Sequence, residues 1–116
     1  MGLETLHVGV LWVRVDVIGS QSLKDRRRVL RSLRDRSVHR FDVSCHEVAT
    51  DEHRYGQLVF STAGAEAVVV RSALDKVRSF LESQPGCVVV DLRFEVMPWR
   101  PDAPSLWPVV EDQPDV

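Results

Sequence analysis

The stretch LHVGVLWVRVDV, residues 6–17, constrains the fold more than any other part of the chain. Eleven of a strand's side chains cannot all reach one core, because successive residues point to opposite faces. Leu11, Val13, Val15 and Val17 make one continuous apolar face. Val8, Val10 and Trp12 make the other, which turns polar at Arg14 and Asp16. Such a strand reads as largely buried. The remaining chain must therefore supply a covering layer.

It does so in a readable order. Gly19 and Ser20 mark a loop. The stretch SLKDRRRVLRSLRDR, residues 22–36, then reads as a helix. Ser22 and Asp25 form an S-x-x-D capping box. Leu23, Val29, Leu30 and Leu33 fall on one side at helical spacing. Residues 41–49 (FDVSCHEVA) and 55–62 (YGQLVFST) read as strands of a hairpin joined through a polar turn at 51–53. A second helix is expected over about 64–83, with Ala67, Val70, Leu74, Val77 and Leu81 as its buried stripe. Pro85-Gly86 turns the chain into a last strand over 87–97. Its alternation predicts Val88, Val90, Leu92, Phe94 and Val96 inward, with Asp91, Arg93 and Glu95 outward.

The order β-α-β-β-α-β predicts an α+β, ferredoxin-like sandwich, an antiparallel sheet with two helices on one face. Residues 1–97 form this domain. Residues 98–116 hold five of the six prolines and four acids against one Arg. That composition predicts a flexible, Pro-rich acidic tail.

Charge is unevenly placed. The net charge is −2, yet residues 22–40 carry eight Lys or Arg against two Asp, a segment charge of +6 that leaves −8 elsewhere. Lys24, Arg27, Arg28, Arg31 and Arg34 fall within a 120° arc beside the apolar stripe, at about 100° per residue. Like charges at i,i+3 and i,i+4 repel, and a helix N-terminus already bears positive charge. Asp25 is placed to offset Arg28, and Asp35 to offset Arg31. A bound anion would relieve the remaining strain, and RNA or DNA backbone is the natural polymeric one. Arg26 projects on the leucine side, its head expected free near the Gly19-Ser20 loop. Arg40 stands at the margin. The competing account is a solvated face, or one that pairs with the acidic tail.

Other chemistry has little support. Cys45 and Cys87 are too few for a disulfide framework and read as small hydrophobes in strands. Cys45 and His46 are adjacent in a strand, so they point to opposite faces and do not make a metal site. No Gly-rich phosphate loop is present, since GSQS is too short. Acylphosphatases pair a phosphate-binding Arg with a catalytic Asn, and this chain has no Asn. The expectation is a non-enzymatic protein with no cofactor and no metal. Residues 1–7 lack a signal peptide's basic region, and no apolar run approaches the ~18 residues of a membrane span, so a cytoplasmic protein is expected. Val8, Val10 and Trp12 lie on the sheet face without helices. That face is a candidate interface, for a homodimer, a protein partner or a small anionic ligand, with few aromatics to stack bases.

The run VGVLWVRVDVIGSQSLKDRRRVLRSLRDR, followed by RFDVSCHEV, resembles the bacterial YlxP-like family, a domain of unknown function. The resemblance rests on a GVL first strand, an SLK-x-RR-VL helix start and an RF-x-VS-x-x-E-V strand. It rests on Ser22, Leu23, Lys24, Arg26, Arg27, Val29 and Leu30, and on Arg40, Phe41, Val43, Ser44, Glu47 and Val48. It covers residues 8–48 closely. Asp42 replaces the family's usual Asn, and the hairpin after Val48 lacks its aromatic-rich extension. The resemblance implies a ferredoxin-like fold in a small cytoplasmic bacterial protein, often encoded near translation and ribosome-maturation factors, with no established activity. Association with RNA or the ribosome is the corresponding expectation.

Overall fold

The computed structural model describes residues 5–50 and 54–104. Its elements are β1 (Leu6–Val17), α1 (Leu23–Arg40), β2 (Ser44–Val48), β3 (Tyr55–Gly64), α2 (Ala67–Glu82) and β4 (Cys87–Trp99). They form one antiparallel sheet in the order β2-β3-β1-β4, with both helices on one face. This is the expected ferredoxin-like α+β arrangement. β1 is hydrogen-bonded along both edges, to β3 and to β4.

The core lies between the sheet and the helices. Leu11, Val13 and Val15 of β1 are wholly buried, with Phe60 and Leu58 beside them on β3. α1 contributes Leu30 and Leu33, and α2 contributes Val70, Leu74, Val77 and Leu81. Two glycines let the helices approach. A Cβ at Gly56 would stand 2.1 Å from a Leu30 methyl, and one at Gly9 would stand 2.6 Å from both Leu74 and Val70. Any larger side chain there would displace core atoms.

Ser22 caps α1, its Oγ accepting the Asp25 N–H at 3.1 Å. The helix continues through Arg40 and ends where Phe41 turns extended and donates its N–H to the Ser37 carbonyl. β2 therefore starts at Ser44 rather than at residue 41. The Phe41 ring meets Phe80 of α2 edge-on, 5.8 Å between centroids. The expected turn at 51–53 lies outside the described residues.

β4 corrects two expectations. A bulge sets Arg14 opposite Asp91 but Val15 opposite Val89, so Val90 is an extra residue. The bulge reverses the phase. Leu92, Phe94 and Val96 face the helices as expected, but Val88 stands opposite Asp16 on the other face and Val90 is exposed. Cys87 and Val89 take the inward places. The strand also runs through Pro98 and Trp99, paired with His7 and Leu6. Proline is tolerated because β4 is an edge strand, where a missing N–H need not break a ladder. The tail expected from residue 98 thus begins inside the sheet, and its flexibility from 105 onward concerns residues outside those described.

Candidate functional site: the cationic face of α1

The buried side of α1 is Arg26, Leu30, Leu33 and Ser37. That fixes the rest of the helix. Lys24, Arg27, Arg28 and Arg31 are exposed together on the opposite side, and Arg34 is half-buried. A shallow furrow runs along α1 between Leu23 and Asp35, lined by these four cations and Ser32. Arg27 and Arg31 also line a second groove, between α1 and β2, with Glu47 and Val48 on its far wall.

The partners of each cation separate the cluster. Arg28 stands 3.9 Å from Asp25, a long and largely exposed pair. Asp35, expected to serve Arg31, instead takes Arg34 at 2.9 Å. That hydrogen bond holds the Arg34 guanidinium above its usual range. Arg40 lies over the rings of Phe41 and Phe80 at 5.6 and 5.5 Å, at the far end of the helix. Elsewhere arginines are matched. Arg54 pairs with Asp16, Arg78 with Asp75, Arg93 with Glu95 and Arg100 with Asp102. Arg36 bonds Gln84, Arg14 lies over Trp12, and Arg71 lies over Phe94. Among the described residues, Arg27 and Arg31 are the arginines with no acidic, aromatic or hydrogen-bonding partner.

Arg26 departs from its expected position. It is 2% exposed, and its Nη1 donates to the backbone carbonyl of Tyr55 on β3. Its head is not free beside the Gly19-Ser20 loop. It ties α1 to the start of β3, under the helix rather than on its cationic face.

The other candidates sit elsewhere. Val8, Val10 and Trp12 stand partly exposed on the helix-free face. The Trp12 Nε1 donates to Gln57 Oε1 at 3.0 Å. Arg14 spans the rings of Trp12 and Tyr55, at 5.6 and 6.0 Å. Tyr55 and Trp99 join Trp12 on this face through the strand register, so it carries more aromatic surface than the sequence suggests. Cys45 lies opposite buried Phe60 and His46 opposite Val59, on the two different faces of β2. Burial pushes the Cys45 thiol up to about 12, so it stays protonated and a poor nucleophile at neutral pH. Burial likewise raises the Cys87 thiol. No described helix is long and apolar enough to cross a membrane.

A family model described as "Protein of unknown function (DUF503)" matches residues 8–94, and the chain belongs to that family. The match takes in every element, short of the first two residues of β1 and the last five of β4. No curated protein matches the chain.

Proposed function

We propose that this DUF503 protein, read more finely as YlxP-like, is a non-enzymatic cytoplasmic protein that binds RNA, on or near the ribosome. Lys24, Arg27, Arg28 and Arg31 of α1 would contact the phosphate backbone. One observation carries the reading: Arg27 and Arg31 remain unmatched in a chain that pairs or stacks its other described arginines. The two sit one helical turn apart on an exposed face, and their like charges cost the helix stability. Guanidinium forks suit phosphate, and a polyanion supplies several at once. The protein as a whole is acidic, so attraction would be confined to this face and would fall steeply with salt.

The helix-free face supports an alternative interface less well. The Trp12 indole N–H is already engaged with Gln57, and Arg14 already lies against both Trp12 and Tyr55.

Ribosome co-sedimentation and RNA binding by wild type and by Arg27→Glu/Arg31→Glu test the reading. The variant should lose binding while keeping its fold, since both positions are exposed. Equal binding by the two proteins would overturn it.

A further inference from the structure

β4 is an outer strand and, at 13 residues, the longest in the sheet. One row of its N–H and C=O groups has no strand beside it among the described residues. Such an edge is a template for another strand unless something blocks it. Two features limit the usable length here. The bulge displaces Val90, and Pro98 lacks a donor. Between them runs the regular stretch DLRFEVM, residues 91–97, whose midpoint is Phe94.

That stretch is complementary to itself. Laid antiparallel on a second copy about a two-fold axis at Phe94, it sets Arg93 opposite Glu95 of the other copy, twice. Arg93 and Glu95 already pair within one chain, Nη2 to Oε1 2.6 Å, on the helix-free face. The four charges would form a ring of alternating sign. On the helix-bearing face the same register places Phe94 against Phe94 and Leu92 against Val96. Leu92 is 39% exposed although it faces the helix layer, so α2 leaves this edge partly uncovered. Arg71 of α2 lies 5.1 Å over Phe94, and Val68, one turn before it, is 77% exposed.

We propose that β4 pairs with β4 of a second copy across residues 91–97, giving a two-fold dimer with one sheet running through both. The axis passes through the sheet, so both copies keep their helices on one side. Their α1 helices, which pack over β2 and β3, take the outer flanks. A register centred on Leu92, with Asp91 opposite Arg93, would carry the bulged residue inside the ladder and is disfavoured.

Sedimentation equilibrium of the full chain, without nucleic acid, tests this over a wide concentration range. Wild type should approach twice its 13.2 kDa mass. Arg93→Glu and Glu95→Arg each place like charges opposite one another at two symmetric positions, so each should weaken the dimer about tenfold. Arg93→Glu/Glu95→Arg restores every cross-strand pair and should recover wild-type association. Both side chains are exposed, so circular dichroism should be unchanged in all three variants. Amide exchange over residues 91–97 should slow as concentration rises. A monomer at every concentration would overturn the proposal. So would single variants that associate like wild type, or a double variant that does not recover.

Discussion

Arg27→Glu should make the protein more stable while it removes binding. Residue 27 has Lys24 three positions before it and Arg31 four positions after it, all exposed on α1. Each like-charge pair costs a few tenths of a kcal/mol, and an opposite pair returns a similar amount. Reversing the charge at 27 converts two repulsions into two attractions, one of them in the favoured order with Glu before Arg at i,i+4. The sum is a gain of about 1 kcal/mol, or a Tm about 4 °C higher for a chain of this size. Residue 27 has no ion pair to lose among the described residues. Urea unfolding at low salt would measure the gain directly. It should shrink in molar salt, where the Debye length falls to about 3 Å. A variant less stable than wild type would mean that Arg27 holds the fold together. A gain that persists undiminished in salt would mean that its charge is not the cause.

Gly56→Ala should destabilise the fold by about 1–3 kcal/mol, because its Cβ would overlap the Leu30 side chain. Leu30→Val in the same chain should recover part of that loss in a denaturant titration, and no recovery would place the strain elsewhere. Arg26→Met keeps much of the buried stem but leaves the Tyr55 carbonyl without this donor, so a loss of about 1–3 kcal/mol is expected, with RNA binding unchanged. Alkylation of Cys45 should be slow at neutral pH and keep accelerating above pH 9, because burial pushes its thiol up to about 12. In the unfolded chain that thiol ionises earlier. Its contribution to stability is therefore complete below its ordinary value and lost as pH rises toward 12. A labelling rate that levels off near pH 9 would contradict the burial.

The fold was largely legible because its signals were periodic. The two-residue alternation of β1 and the spacing of Val70, Leu74, Val77 and Leu81 specify which side chains meet. Arg26 was harder. Its phase matched Leu30, Leu33 and Ser37, and that match was the available signal for burial. The acceptor that makes burial tolerable is a backbone carbonyl on β3, which no side-chain pattern records. The bulge was hidden for another reason. Val88, Val89 and Val90 are alike, so a one-residue slip among them leaves the hydrophobic pattern intact. The exposed positions of Arg27 and Arg31 followed from helix geometry alone. Which cation Asp35 takes did not, because Arg31 and Arg34 were both within its reach.

The most direct test of the cationic face is the salt dependence of RNA binding. If Lys24, Arg27, Arg28 and Arg31 each neutralise one phosphate of a single strand, log K should fall against log salt with a slope near −3. Arg27→Glu/Arg31→Glu should bring that slope to about half or less, together with a large loss of affinity at low salt. A wild-type slope near zero, or a steep slope that the variant retains, would contradict phosphate binding by α1.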